Sequence, residues 1–238
     1  MIEIHTDVEA LSRAAAERIA ADAARAVAES GRFAIALSGG GTPKRTYELL
    51  ATEPLRSTVP WKSVHVYWGD ERCVPVDDER SNERMARRAL LDHVDVDERN
   101  VHPIRCAADP VRAAAEYEHE LQREFGTART PLDLVLLGMG ADGHTAGLFP
   151  GSHALDEQLR WTSVVRRDGE EHDRITMTLP LIRLAREVIV LVSGAEKASM
   201  VRTILTEHGG PERLPASRIG EAMWMVDVGA GSMLDVRC

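Results

Sequence analysis

The sequence predicts an α/β fold, in which a doubly wound, mostly parallel sheet carries helices on both faces. Short apolar segments alternate along the chain with helical patterns of roughly 10–20 residues, which is typical of parallel strands joined by crossover helices. The first of these segments, Phe33–Leu37, is apolar at every position, as expected of a strand that is buried on both faces. Every unusual polar or glycine-rich segment follows a strand, and such sheets bind ligands outside the carboxyl ends of their strands.

Length and composition fit one domain, which we expect to span residues 1–238. The 44% hydrophobic content excludes a disordered chain. With 29 Lys and Arg against 38 Asp and Glu, the net charge of −9 does not suit a broad nucleic-acid-binding surface. The longest aliphatic run, Val188–Val192, is too short to cross a membrane, and the first residues lack a signal-peptide pattern. We therefore expect a cytoplasmic protein with no nucleic-acid, membrane or obligate protein partner.

Capping residues mark the ends of the predicted helices. Thr6 and Glu9 form a capping box, in which a hydroxyl and a carboxylate satisfy free amides at a helix start. Gly31 suits the end of this helix, because glycine readily adopts a left-handed conformation. Thr42 is placed to cap a second helix, with Pro43 as its first residue. Further helices are predicted from Ser81 to about Leu91, from Asp109–Pro110 to near Gly126, and from about Glu196.

Apolar runs between these helices are the predicted strands. Besides Phe33–Leu37 they are Val64–Trp68, Leu132–Leu137, Trp161–Val165, Val188–Val192 and Trp224–Val228. The charged segment Gly69–Arg72, which follows the second strand, is predicted to be a polar loop.

The glycine-rich segment Ser38–Pro43 is the first candidate binding site. Its three consecutive glycines, Gly39, Gly40 and Gly41, allow the backbone to approach a ligand closely, and Thr42 opens a helix with free amides. This combination binds phosphate. It lacks the Gly-Lys-Ser/Thr ending of a nucleotide P-loop, which disfavours Mg-ATP. A tight turn without a ligand is the alternative interpretation.

The segment Gly138–His144 is the second candidate. It matches G-x-G-x-x-G, but it follows the third strand rather than the first, and Gly147 and Pro150 interrupt the helix that a dinucleotide site requires. Asp142 and His144 are more informative, because an imidazole can take a proton from water while a nearby carboxylate orients the ring. The alternative is a histidine that only bonds to loop backbone.

Two further strand ends carry charged groups. Asp70 and Arg72 follow one strand, where an arginine can hold a phosphate or stabilise an oxyanion, although composition alone favours a solvated charge cluster. Lys197 is one of three lysines in the chain and follows a strand that ends at Ser193 and Gly194. Taken together, these segments indicate a small phosphorylated ligand and acid–base chemistry.

No set of metal ligands is visible in the sequence. Cys73, Cys106 and Cys238 are scattered and form no C-x-x-C pair, which indicates reduced thiols rather than a disulfide framework or a zinc site. Histidines and acidic residues do not pair at ligand spacing, and no serine lies in a G-x-S-x-G elbow. We expect neither a metal nor another cofactor.

Several ordered motifs together resemble the 6-phosphogluconolactonase family. They are SGGGTP at 38–43, WGDER at 68–72 with Ser81 and Asn82, GMGADGHTAGLFP at 138–150, RITMTLP at 174–180, GAEKA at 194–198 and PAS at 215–217. They cover nearly the whole chain in the family's order. The resemblance implies a modified Rossmann-type sheet related to glucosamine-6-phosphate deaminases. It also implies hydrolysis of 6-phospho-D-glucono-1,5-lactone, a phosphorylated sugar lactone, to 6-phospho-D-gluconate.

The same resemblance implies roles for individual residues. His144 becomes the general base that activates water, Asp142 supports it, and Asp70 and Arg72 line the same pocket. The phosphate end is assigned to Gly39, Gly40, Gly41, Thr42 and Lys197, with Arg174 and Arg166 as further candidates. Two departures from the family leave undecided which residues complete the phosphate-binding site. Gly147 replaces a more usual serine, and the segment 166–173 lacks the usual proline-rich stretch.

Two other functions remain as alternatives. A glucosamine-6-phosphate deaminase/isomerase is similar at the glycine-rich loop and at Asp142–His144. However, its ring-opening glutamate aligns with Phe149, which cannot exchange protons. A non-catalytic sugar-phosphate sensor would keep the phosphate loop and could lose the base, whereas both His144 and Asp142 are present.

Overall fold

A computed structural model of the chain describes residues 1–106, 109–126, 128–167, 169–206 and 214–234. The main sheet has six strands, and every neighbouring pair is parallel. Across the sheet they are β1 Ile2–His5, β9 Met223–Asp227, β8 Glu187–Val192, β5 Leu134–Gly138, β2 Phe33–Leu37 and β3 Val64–Trp68. The predicted parallel sheet is confirmed, and five of the six predicted strands match its strands within two residues at each end. The sixth, Trp161–Val165, belongs instead to a separate antiparallel sheet, where it pairs with a strand at 174–177. The edge strand β1 was not predicted.

The sheet is doubly wound, because the chain leaves β2 for β3 on one side and then crosses back to β5, β8 and β9 on the other. Right-handed crossovers then carry the connecting helices to opposite faces. The helices are α1 Val8–Ser30, α2 Gly41–Leu50, α3 Leu55–Thr58, α4 Asn82–Ala89, α5 Pro110–Phe125, α6 Leu179–Ile182 and α7 Ala198–Thr206. The direction of winding reverses between β2 and β5, where such sheets place their ligands. Within the described ranges, no helix has the length and apolarity that a membrane span requires.

A second, antiparallel sheet has three strands, which are β4 Asp70–Arg72, β7 Arg174–Met177 and β6 Thr162–Val165, in that order. The prediction of a polar loop over Gly69–Arg72 is therefore wrong for its last three residues. Arg72 lies opposite Arg174 in this sheet, and Asp70 lies opposite Thr176. A partner strand about a hundred residues away in the sequence supplies the backbone hydrogen bonds, which no local pattern records.

Two predicted helix caps are wrong by one or two residues. Helix α1 is capped by the carboxylate of Asp7, which accepts a hydrogen bond from the amide of Ala10 at 2.8 Å, and not by the predicted hydroxyl of Thr6. Helix α2 begins at Gly41 after Gly40, whose φ of 106° is open only to glycine at low cost. Thr42 therefore lies inside the helix.

The other predicted caps are confirmed. Gly31 ends α1 with a φ of 80°. Ser81 accepts from the amide of Arg84 at the start of α4, and Asp109 accepts from that of Arg112 at the start of α5.

Cys73 and Cys106 form a disulfide, with their Cα atoms 4.9 Å apart, so the prediction that these two are reduced thiols is wrong. Cys73 directly follows β4, and Cys106 lies on the segment that leads to α5. The fold brings the two segments together although 33 residues separate them in the sequence. Cys238 lies outside the described residues.

Two buried tyrosines bind the backbone at strand ends. The hydroxyl of Tyr47 donates to the carbonyl of Ser38 and accepts from its amide, both at 2.9 Å, directly after β2. The hydroxyl of Tyr117 makes the same pair of bonds to Trp68, the last residue of β3. Each hydroxyl thus satisfies both polar groups of one buried residue where the sheet's own hydrogen bonds end.

We expect Tyr47→Phe to reduce the free energy of unfolding by about 1–3 kcal/mol, because the amide and carbonyl of Ser38 would remain buried without partners. Urea titration of the purified variant measures this loss. The matched control is Tyr67→Phe, because the buried Tyr67 hydroxyl has no hydrogen-bond partner among the described residues. This control should be neutral or stabilising. Equal losses in both variants would contradict the role of the Tyr47 hydroxyl.

Candidate active site

A pocket of about 170 Å³ opens at the carboxyl ends of the parallel strands. Its walls come from the turns after β2, β5 and β8 and from the two strands β4 and β7. Sequence-predicted site residues on its walls are Gly39, Gly40, Gly41, Thr42, Asp70, Arg72, His144, Arg174 and Lys197. Asp142 does not line the pocket but bonds to His144. The fold thus brings together segments that lie far apart in the sequence.

His144 and Asp142 form a hydrogen-bonded pair at the end of β5. The Nδ1 atom of His144 lies 2.5 Å from Oδ1 of Asp142, and Arg167 donates from Nη2 to Oδ2 of the same carboxylate at 2.8 Å. Burial raises the pKa of Asp142, but the hydrogen bonds from His144 and the charge of Arg167 outweigh it and lower the pKa. An ionised Asp142 favours the proton on Nδ1, which leaves Nε2 of His144 as the basic nitrogen.

Glycines allow this pair to form. A Cβ atom at Gly140 would overlap the imidazole ring of His144, so the ring lies directly on the glycine backbone. Gly143, between Asp142 and His144, has a φ of 78°, which a side chain would strain. Two glycines of the G-x-G-x-x-G segment, Gly140 and Gly143, thus allow the imidazole ring to pack against the backbone.

The ring of Phe149 supports three side chains of the site. The imidazole of His144 packs against it with ring centroids 4.6 Å apart. The guanidinium groups of Arg167 and Arg174 lie over it, at 4.6 Å and 5.1 Å from its centroid. Phe149 is buried, so it forms an apolar plate behind the charged groups.

Arg174 is bound by two carboxylates. It donates from Nε and Nη2 to the two oxygens of Glu170, each at 2.9 Å, and from Nη1 to Asp70 at 3.4 Å. The hydrogen bonds from Arg174 lower the pKa of Glu170. Since Glu170 and Asp70 compensate its charge, Arg174 is a weaker candidate for phosphate binding than the sequence suggested.

Asn82, for which the sequence predicted no role, connects three parts of the pocket. Its Nδ2 donates to the carbonyl of Asp70 at 2.8 Å, and its Oδ1 accepts from Arg72 at 3.0 Å. A Cβ atom at Gly39 would overlap its side chain, so the glycine-rich loop rests on it. Its position at the start of α4, directly after the cap Ser81, is the signal that points to it.

The buried carboxylate of Glu71 holds the start of α4. It accepts from the amides of Asn82 and Glu83, both at 2.8 Å, and from the hydroxyl of Ser81 at 3.1 Å. Burial raises the pKa of Glu71, although these amides oppose the shift. Glu71 therefore positions Asn82 from below the pocket wall.

Two cations of the pocket lack an ion pair with any of the described residues. They are Arg72, whose Nη1 donates to Asn82 and to the Arg80 carbonyl, and Lys197. The turn that carries Lys197 is fixed by Asp227, which accepts from the amide of Gly194 at 3.1 Å. Thr42 joins this turn to the glycine-rich loop through the hydroxyl of Ser193, 2.8 Å away. Lys197 and the glycine-rich loop thus lie at one end of the pocket.

Of two adjacent arginines, the one that the family resemblance implied as a further phosphate ligand does not reach the pocket. Arg166 is 79% exposed, pairs with Asp173 and does not line the pocket, whereas Arg167 bonds to Asp142. Nothing in the sequence distinguishes the two, because the turn after β6 decides which side chain faces the site. Across the ranges that the structure describes, no group of three or more histidine, cysteine or acidic side chains is placed to hold a metal ion.

Together, the doubly wound sheet and the pocket at its reversal point define an α/β protein with a hydrogen-bonded histidine–aspartate pair beside a glycine-rich loop. The chain belongs to the family of glucosamine-6-phosphate isomerases and 6-phosphogluconolactonase, whose pattern matches residues 6–226. It is 46% identical over 217 residues to 6-phosphogluconolactonase from Synechocystis sp., covering 88% of each chain. The same-named protein from Nostoc sp. is 41% identical over 242 residues, covering 99% of this chain and 98% of the other.

A solved structure agrees with these sequence matches. The structure of 6-phosphogluconolactonase from Trypanosoma cruzi superposes with a TM-score of 0.86 at 32% identity, and the match covers 98% of this chain and 96% of the other. The expected family is therefore confirmed, and so is the expected Rossmann-like fold.

Proposed function

We propose that this chain, acting as one domain over residues 1–238, hydrolyses 6-phospho-D-glucono-1,5-lactone to 6-phospho-D-gluconate. One observation carries the proposal: His144, which bonds to Asp142, lines the same pocket as a glycine-rich loop and a lysine that has no ion pair among the described residues. A base and an anion-binding end in one cavity fit a substrate with a reactive carbonyl and a distant phosphate. The relatives that the chain resembles over most of its length carry the corresponding name.

The phosphate binds at the anion-binding end. The loop Gly39–Thr42 lies at the start of the ten-residue helix α2, whose free amides and positive end attract an anion. Lys197 adds a full charge from the opposite turn. Because the phosphate is not part of the lactone carbonyl group, it can hold the sugar ring without entering the chemistry.

His144 activates the water. Its Nε2 takes a proton as the water oxygen bonds to the lactone carbonyl carbon, which forms a tetrahedral oxyanion. Asp142 stays ionised and stabilises the resulting imidazolium through Nδ1. The bond between the carbonyl carbon and the ring oxygen then breaks, the imidazolium returns its proton to that oxygen, and the product acid ionises in solvent.

The oxyanion requires a donor, and Arg72 or the loop amides supply it. The guanidinium of Arg72 has no carboxylate partner among the described residues, and Asn82 fixes one of its nitrogens. Such a donor contributes up to about 2.7–4 kcal/mol to the stabilisation of the transition state. Asp70 orients the neighbouring Arg174 on the same wall.

The direct test generates the lactone in situ with glucose-6-phosphate dehydrogenase and follows acid release against the spontaneous rate. We expect the protein to accelerate lactone hydrolysis and to release no ammonia from glucosamine 6-phosphate. The second expectation follows from Phe149, because a buried phenyl ring stands where the deaminases carry a proton-exchanging glutamate. Ammonia release without lactone hydrolysis would contradict the proposal.

We expect His144→Gln to lower kcat by about a hundredfold to ten-thousandfold, because glutamine cannot take the proton. Binding of 6-phosphogluconate, measured by calorimetry, should hardly change, since the phosphate contacts lie elsewhere. The matched control is His119→Gln on the exposed side of α5. Melting temperatures measured on the same preparations show whether each variant is folded. A folded His144→Gln variant with near-normal turnover would exclude this mechanism.

Replacing Lys197 tests the anion-binding end. A charge-assisted hydrogen bond contributes about 1.5–3 kcal/mol, so Lys197→Ala should raise KM by about tenfold to a hundredfold while kcat changes little. Lys62→Ala, in an ion pair at the surface with Asp95, is the matched control and should leave KM unchanged. An unchanged KM in Lys197→Ala would remove this residue from the site.

A further inference from the structure

Arg167 contacts the His144–Asp142 pair without lining the pocket. We propose that Arg167 is a positioning residue, which fixes the Asp142 carboxylate so that one oxygen always faces the imidazole. The proposal rests on the proposed function for its catalytic consequence, but its structural content stands on the contacts alone.

The two carboxylate oxygens of Asp142 have different partners. Oδ1 faces Nδ1 of His144, and Oδ2 accepts from Nη2 of Arg167 at 2.8 Å. A carboxylate with a partner on one oxygen only can rotate or swing away. With the second oxygen held, the plane of the carboxylate is fixed, and the imidazole keeps one tautomer and one orientation.

Arg167 is itself held in place. Its guanidinium lies over the ring of Phe149, which also contacts the imidazole of His144 and the guanidinium of Arg174. Glu170 lies 3.5 Å from its Nη1 atom. The arginine and the base thus share one aromatic plate, which fixes the distance between them.

Arg167 also belongs to an alternating chain of charges. The chain runs through Asp142, Arg167, Glu170, Arg174 and Asp70, and so connects the carboxylate that bonds to His144 with a carboxylate on the pocket wall. The cation on the far oxygen of Asp142 reduces the net negative charge beside the imidazole. The other charged groups of the pocket are Arg72 and Lys197.

The experiment compares Arg167→Met with Arg166→Met. Arg166 is the adjacent arginine, is exposed and pairs with Asp173 outside the pocket, so it controls for the loss of a surface cation. In Arg167→Met we expect kcat to fall about tenfold because the base is misplaced. KM should stay unchanged, because Arg167 does not line the pocket. The acidic limb of the pH–rate profile should move up by about half a pH unit, as the imidazolium loses a neighbouring cation. Arg166→Met should change none of these.

Arg167→Lys separates charge from geometry. It should restore the position of the acidic limb, because the cation is retained, but only part of kcat, because a lysine cannot bind Asp142 and stack on Phe149 as a planar fork. A merely structural role would instead lower the melting temperature and leave the pH profile in place.

A readout independent of turnover keeps the test separate from the proposed function. Titration of the His144 imidazole by NMR should show the same upward shift in Arg167→Met relative to Arg166→Met. If the wild-type protein lacked lactonase activity while this shift appeared, the proposed function would fail and the positioning role would stand. Equal titration of His144 in the two variants would overturn the positioning role, whatever the activity.

Discussion

The site depends on a constraint at the ends of buried parallel strands. A strand that is covered on both faces leaves its last amide and carbonyl without sheet partners and without water. The hydroxyls of Tyr47 and Tyr117 fill that gap after β2 and at the end of β3. These bonds hold Ser38, which opens the glycine-rich segment, and Trp68, which lies two residues before β4, and so they anchor two walls of the pocket.

Of the cationic side chains in and around the pocket, some form ion pairs with carboxylates and others have no ion pair among the described residues. Arg174 and Arg167 are neutralised by carboxylates and rest on Phe149, so their role is to hold other groups. Arg72 and Lys197 have no such partner among the described residues. An anion that entered the pocket would therefore meet these two cations, whereas Arg174 and Arg167 already bind carboxylates of the protein itself. This division lets one small cavity hold four charged side chains without pairing all of them with one another.

The sequence sufficed for the main sheet, because a strand buried on both faces and a capped helix leave local patterns. It also sufficed for His144 and for the loop after β2, since both stand out by residue type. The sequence did not predict features that depend on pairing between segments far apart in the chain. The three residues of β4 form a strand only because β7 lies beside them, and Cys73 meets Cys106 for the same reason. Whether Arg166 or Arg167 faces the site depends on a backbone turn that no spacing records.

The pairing of the strands also has a consequence for the order in which the chain can fold. In the sheet, β1, the first strand among the described residues, pairs with β9, the last of them. While a ribosome is still making the rest of the chain, β1 has no strand to pair with and stays outside the sheet. Its docking closes a contact more than two hundred residues apart in the sequence, and contacts of that range form slowly. The central strands β2, β3 and β5 can therefore assemble during synthesis, whereas the edge formed by β1 awaits the release of the C-terminal part.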